Sequence, residues 1–151
     1  MCSSDLVTEG RIEYNRSKTK RLYSIKVEPE AMAIIEKYRG KGRLLDILDR
    51  YGNHKDYVKR LNGNLQRIGV VKREGRGGKK VLNPLFPTLT TYWARHTWAT
   101  IAASLDIPKE TIAAALGHGG NTVTDIYIDF DRKKVDDANR RVMDWVLYGR
   151  R

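Results

Sequence analysis

The segment from Thr91 to Tyr127 constrains this chain most, because it contains three kinds of side chain that bind or attack phosphate esters. Arg95 supplies a guanidinium, His118 an imidazole and Tyr127 a phenol. A guanidinium contacts two phosphate oxygens with a planar fork and keeps its charge at neutral pH. A tyrosine hydroxyl becomes a covalent nucleophile where its neighbours favour deprotonation. The three residues belong to separate short helical segments, so they can act together only if the fold brings those segments into one site.

The composition indicates a single globular domain with a polyanionic partner. The 151 residues are enough for one hydrophobic core, and 40% of them are hydrophobic. The net charge of +11 favours a nucleic-acid partner without choosing between DNA and RNA. The lone Cys2 cannot form an internal disulfide, and no apolar run approaches the ~20 residues that span a bilayer. We therefore expect a cytoplasmic protein that does not contact a membrane.

The residues around Arg95 follow a family pattern. The sequence has Arg95-His96-Thr97, later Leu116-Gly117-His118, and then Tyr127 nine positions after His118. This block resembles the C-terminal motifs of the tyrosine recombinase (phage integrase) family, which are His-x-x-Arg-His-Thr, Leu-Gly-His and a nucleophilic tyrosine at the same spacing. One position departs, since Tyr92 stands where the family usually has its first histidine. Several order-dependent spacings agree at once, so the resemblance is specific.

The resemblance implies a role for each motif residue. Tyr127 would attack the scissile phosphate and form a 3′-phosphotyrosyl bond. Arg95, His118 and Tyr92 would hold the non-bridging oxygens as negative charge develops. The phosphotyrosyl bond conserves the phosphodiester energy, so the strands would rejoin without ATP, metal or another cofactor. No metal-ligand spacing accompanies these residues in the sequence.

A β-hairpin is predicted near the N-terminus. Two β-prone runs, from Arg11 to Tyr14 and from Leu22 to Val27, flank a polar turn with Lys18 near its tip. From the residues alone, a solvated turn lysine is the favoured interpretation. In the recombinase family a lysine in such a hairpin protonates the departing 5′ hydroxyl, which implies this role for Lys18, with Lys20 as the alternative and as a DNA contact. Desolvation near other cations lowers a lysine pKa towards neutrality, as such a role requires.

A glycine-rich basic segment follows at residues 72–80, and we predict a flexible loop there. Its cationic side chains would reach the phosphates of the DNA backbone. The alternative is a solvated surface loop without a partner. The predicted DNA contacts in this segment are Lys72, Arg73, Arg76, Lys79 and Lys80.

The remaining segments have helical periodicity and carry no predicted chemistry. Pro29 and Pro108 are placed to begin helices, Asn53 to cap one, and Gly117 to end one. An apolar stripe after Thr90 predicts core residues: Ala94, Trp98, Ile101, Ala102 and Leu105. A C-terminal amphipathic helix has its apolar face at Val135, Ala138, Val142 and Val146. In the recombinase family such a helix often docks onto a neighbouring protomer, although it could also pack on its own domain.

The predicted architecture is a mainly helical α+β domain, a helical bundle like a tyrosine recombinase catalytic domain with a small β-hairpin or sheet. The family uses two arginines, the first roughly two dozen residues before the lysine. Counting back from Lys18 passes Met1, and Arg11 and Arg16 are poor substitutes. Residues 1–151 are therefore expected to be the C-terminal part of an integrase catalytic domain, without the N-terminal DNA-binding domain or the first arginine, and inactive alone.

The predicted function is site-specific recombination that integrates or excises a mobile element. The expected partners are double-stranded DNA and further copies of the protein, joined through the C-terminal helix in a tetrameric synapse. We expect Lys18, Tyr92, Arg95, His118 and Tyr127 to converge on one basic concave face. Two other functions stay open, namely a catalytically silent DNA-binding fragment and a basic RNA-binding domain.

Overall fold

The computed structural model describes residues 7–15, 22–41, 43–74, 78–117 and 132–149. The chain forms two compact units. The core unit comprises Met1–Asp46 and His96–Arg151, and the basic unit comprises Ile47–Arg95. Helices and two small antiparallel sheets occur in the described ranges, which confirms a fold of mixed helix and strand.

The core unit contains a three-stranded antiparallel sheet in the order β1-β2-β3. Its strands are β1 (Val7–Thr8), β2 (Arg11–Asn15) and β3 (Leu22–Lys26). The register pairs Arg11 with Lys26 at one end and Asn15 with Leu22 at the other, which confirms the predicted hairpin. The rings of Tyr14 and Tyr23 stack across it with their centroids 5.4 Å apart. Lys18 and Lys20 lie in the connection 16–21, outside the described residues.

Four helices contribute to the core unit in its described parts. They are α1 (Pro29–Lys37), α4 (Trp93–Ser104, which begins in the basic unit), α5 (Lys109–Ala115) and α6 (Arg132–Tyr148). The core cluster consists of Ala102, Leu105, Ile107, Ala138 and Val142, with Trp98, Ile101 and Ile112 packed against it. The predicted stripe on α4 is thus confirmed from Trp98 onwards. It is wrong at Ala94, which is exposed because the first turn of α4 lies outside this cluster.

Ion pairs reinforce the position of α6. The guanidinium of Arg11 on β2 donates to both carboxylate oxygens of Asp136, at 2.7 and 3.1 Å. Arg140 likewise donates to both oxygens of Glu30, at 3.0 and 3.1 Å, and also to Asp144 at 2.7 Å. Bidentate arginine–carboxylate pairs fix orientation as well as distance. Helix α6 therefore packs on its own unit, through Ala138 and Val142 and through these charges.

The basic unit begins with α2 (Ile47–Arg50) and α3 (His54–Leu65). The side chain of Asn53 accepts a hydrogen bond from the amide of Asp56 at 2.9 Å, which confirms the predicted cap. Helix α3 continues through Gly63. It is followed by an antiparallel hairpin of β4 (Gly69–Glu74) and β5 (Lys79–Pro84).

The prediction of a flexible loop over residues 72–80 is wrong at both ends of the segment, while residues 75–77 lie outside the described residues. The strand ladder pairs Lys72 with Val81, Arg73 with Lys80 and Glu74 with Lys79, so most of this segment is regular strand. The cause is the apolar, β-branched residues that flank the segment, since Val70, Val71 and Val81 favour strand.

Candidate functional site

Tyr92 and Arg95 lie at the start of α4. The amide of Arg95 donates to the carbonyl oxygen of Tyr92 at 3.1 Å, within a series of tight turns that leads from Thr90 into the helix. Tyr92 precedes the first helical residue, and its side chain is 60% exposed. Arg95 is half-buried in the first helical turn. The two residues are thus close in the chain fold, as expected, although Tyr92 belongs to the turn and not to the helix.

The Leu116-Gly117 pair forms the end of α5. The amides of Leu116 and Gly117 donate to Ile112 and Ala114 carbonyl oxygens at 3.0 and 2.9 Å. Gly117 has a φ of +70°, a backbone conformation that residues other than glycine adopt at an energetic cost. A Cβ atom there would collide with the ring of Tyr23. Glycine is therefore required at this position for two independent reasons.

The predicted hairpin contacts the segment that precedes His118. The hydroxyl of Tyr23 on β3 donates to the carbonyl oxygen of Gly117 at 3.4 Å. Tyr23, on one of the two strands that flank Lys18, therefore contacts the end of α5 inside the core unit. His118 follows immediately in the sequence, but His118 and Tyr127 lie outside the described residues. The convergence of all five predicted catalytic residues stays a prediction.

Positive charge is concentrated in the basic unit. Its eleven Lys and Arg residues against three Asp and Glu residues give it a net charge of +8, out of +11 for the whole chain. Lys72 is exposed on β4, and the backbones of Arg73, Lys79 and Lys80 are held in the same ladder, whereas Arg76 lies outside the described residues. A cation on ordered backbone loses less conformational entropy on binding than one on a flexible loop.

A groove lies on α3, a helix for which the sequence predicted no functional role. It encloses about 390 Å³ and is lined by Tyr51, Tyr57, Arg60, Leu61, Gly63, Asn64 and Arg67. The rings of Tyr51 and Tyr57 meet edge to face with centroids 5.1 Å apart. Part of the signal was present in the sequence, since Tyr57, Arg60 and Asn64 are spaced by three and four residues along one face of α3.

Shifted pKa values accompany the ion pairs of α6. Hydrogen bonds from Arg140 lower the pKa of Glu30 to about 2. The hydroxyl of Tyr148 donates to Glu30 at 2.8 Å, and this bond raises the pKa of Tyr148. Hydrogen bonding to Asp136 similarly raises the pKa of Arg11. These groups hold α6 in place, and a phenol with a raised pKa is a poor nucleophile.

The described residues contain no group of three or more His, Cys, Asp or Glu side chains arranged to hold a metal ion. In those same ranges, none of the helices has both the length and the apolar character needed to cross a bilayer. None of the protein-family profiles, curated proteins or solved structures compared with this chain matches it.

Proposed function

We propose that this protein binds double-stranded DNA and breaks and rejoins its strands by the chemistry of a tyrosine recombinase, in the integration or excision of a mobile element. The observation that carries the proposal is the ordered motif Arg95-His96-Thr97, Leu116-Gly117-His118 and Tyr127. The hydrogen bond from Tyr23 to Gly117 supports it, because that bond joins the hairpin of Lys18 to the residue before His118.

The proposed reaction assigns one task to each residue. The Tyr127 hydroxyl loses its proton to solvent, its oxygen forms a bond to phosphorus, and the bond from phosphorus to the 5′ oxygen breaks. Lys18 donates the proton that the 5′ oxygen takes up. Arg95 and His118 stabilise the charge on the non-bridging oxygens, which is the largest contribution in reactions of this kind. The reverse attack by a 5′ hydroxyl rejoins the strands and releases the tyrosine.

Tyr92 takes the place of a histidine in this scheme. A phenol donates a hydrogen bond to a phosphate oxygen but lacks the charge of an imidazolium at neutral pH. Tyr92 as a whole is 60% exposed. Tyr92 would therefore act as a neutral hydrogen-bond donor. Tyr92→Phe would remove this donor, and Tyr92→His would replace it.

Self-assembly on DNA belongs to the same proposal. Helix α6 is anchored at Ala138 and Val142, but its last turn leaves three large apolar side chains about half exposed: Val146 at 54%, Leu147 at 51% and Tyr148 at 51%. Exposed apolar side chains grouped in one turn are suited to a contact with a second protomer. A tetrameric synapse assembled through this turn is the arrangement that we propose.

The test is covalent capture on a pool of nicked DNA duplexes of randomised sequence, in which a cleaved short strand diffuses away and leaves the phosphotyrosyl bond trapped. We expect DNA that stays attached after denaturation to a version of the protein lengthened upstream to carry the family's first arginine, in an amount that Tyr127→Phe abolishes. Little DNA should stay attached to residues 1–151 alone. Tyr38→Phe is the matched control, because Tyr38 is 40% exposed and lies outside the motif. An adduct that persists in Tyr127→Phe contradicts the proposed nucleophile.

A second candidate function is DNA binding without cleavage. The observation that favours it is the net charge of +8 within Ile47–Arg95, which needs no catalytic residue. Salt-dependent binding of duplex DNA with no adduct under any condition would support this candidate. Tighter binding of duplex RNA than of duplex DNA would support the third candidate, a basic RNA-binding domain.

A further inference from the structure

The groove on α3 combines aromatic and cationic side chains. The guanidinium carbon of Arg60 lies 5.9 Å from the centroid of the Tyr51 ring, and Tyr57 stands edge-on to the same ring. Arg67, in the turn that follows the last helical residue Leu65, also lines the groove. No acidic side chain is among the residues that line the groove. The groove thus offers π surfaces and positive charge to one ligand.

The chemistry of the groove suits a nucleotide. A nucleobase stacks on tyrosine rings and on guanidinium planes. The amide of Asn64, one helical turn beyond Arg60, can donate to and accept from a base edge. A phosphate group accepts the planar fork of an arginine. The volume of about 390 Å³ falls in the range of small-ligand sites.

Gly63 gives a second, independent indication of a ligand. Glycine inside a helix lowers helix stability relative to alanine. A Cβ atom at Gly63 would meet no other atom within 4 Å, so packing does not require a glycine here. Gly63 does line the groove, where a side chain would occupy ligand space. A glycine that the fold does not need is explained if it keeps the groove open.

We propose that this groove binds one unpaired nucleotide, with its base at Tyr51, Tyr57 and Arg60 and its phosphate at Arg67. The nucleotide can be a free mononucleotide or part of a single DNA strand, since both present the same base and phosphate. This inference goes beyond strand transfer and does not depend on it. The groove contains none of the motif residues, so it would bind nucleotides even if Tyr127 formed no adduct.

The test uses the full chain and NMR titration of its backbone amides with deoxyadenosine monophosphate (dAMP). We expect saturable shifts at residues 51–67, and affinity for dAMP about tenfold or more above that for deoxyadenosine or inorganic phosphate, since each supplies half of the contacts. A single-stranded hexanucleotide that binds more tightly than dAMP identifies a DNA strand as the source. Equal or weaker binding of the hexanucleotide identifies a free nucleotide. Shifts that do not saturate, or that lie elsewhere in the chain, contradict the proposal.

Three variants separate binding in the groove from general attraction to a basic surface. Gly63→Ala should weaken dAMP binding about tenfold while Tm stays the same or rises, a combination that a folding defect cannot produce. Arg67→Gln should weaken binding of dAMP by a similar factor but leave deoxyadenosine unchanged. Arg39→Gln removes the same charge from an exposed position outside the groove and should change neither. Affinity for dAMP within twofold of wild type in Gly63→Ala would overturn the proposal.

Discussion

The core unit and the basic unit differ in the burial of their side chains and in their net charge. Every residue that the structure describes as buried belongs to the core unit, including Ala102, Ile107 and Val142. Among the residues of Ile47–Arg95 whose burial the structure describes, none is buried, and Leu85 and Phe86 are 60% and 54% exposed. The basic unit nevertheless holds most of the net charge. The described buried residues that stabilise the fold therefore lie in the core unit, and most of the net positive charge lies in the basic unit.

This division has a consequence for dynamics. Segments with few buried apolar contacts open at a lower free energy than the core of the same protein. The basic unit relies on backbone pairing between β4 and β5 and on the Asn53 cap of α3. We expect it to open locally before the core unit unfolds. Low local stability is common in regions that bind ligands.

A pair of isoleucine variants gives the strongest test of this difference in burial between the core unit and the basic unit. Ile107→Ala removes a side chain that is 6% exposed in the core cluster, and we expect a loss of about 2–5 kcal/mol in the free energy of unfolding. Ile68→Ala makes the same chemical change at a side chain that is 50% exposed in the basic unit, and should cost about 0.5 kcal/mol or less. Urea denaturation followed by circular dichroism measures both. Equal losses would contradict the division.

A pair of glycine variants should give effects of opposite sign. Gly117→Ala introduces a side chain at a φ of +70° against the Tyr23 ring, so we expect a loss of about 1–3 kcal/mol. Gly63→Ala improves helix propensity without a contact, so we expect a gain of about 0.5–1 kcal/mol. Thermal unfolding of both variants is the measurement. Destabilisation by Gly63→Ala would show that α3 is packed more tightly than its surroundings indicate.

The elements that the sequence predicted well are those with local causes. Pro29 begins α1, Asn53 caps α3, Pro108 precedes α5 and Gly117 ends it, because each acts on the backbone within a few residues of itself. The hairpin of β2 and β3 was predicted for the same reason, from alternating polarity on either side of a polar turn.

The failures have non-local causes. Whether Ala94 is buried depends on where the first turn of α4 lies, which helical periodicity does not specify. The pairing of Arg140 with Glu30 joins residues 110 apart in sequence, and no local pattern indicates it. In the candidate site the spacing identified Arg95 and Gly117, while the contact of Tyr23 with Gly117 needed the fold. The groove needed Tyr51, which precedes α3 and lies outside its helical pattern.

A pair of double-lysine variants tests whether DNA binding follows the charge. Replacement of Lys79 and Lys80 by alanine removes two cations from the basic unit, and Lys133 and Lys134 are a matched adjacent pair in the core unit. We expect the first double variant to reduce the slope of log K against log salt for duplex DNA by about one unit per lost phosphate contact. The second should leave the slope unchanged. Equal slopes in both variants would mean that the β4–β5 hairpin does not contact the DNA.

The smallest effect concerns the ion pairs that hold α6 in the core unit. Arg140 lowers the pKa of Glu30 from 4.5 to about 2. Because the folded-state pKa is below the ordinary value, the stabilising contribution of Glu30 is complete above about pH 4.5 and is lost as the pH falls towards 2. Partly exposed ion pairs contribute little, so the buried core should dominate at neutral pH. We expect Glu30→Gln to flatten the decline of Tm across this pH window and to lower Tm only slightly at pH 7, because Arg140 keeps Glu28 and Asp144 as partners. Glu36→Gln is the control, since Glu36 is exposed on the same helix α1. A large loss of Tm at pH 7 in Glu30→Gln alone would mean that charge pairing, and not the core around Ile107, holds α6 in place.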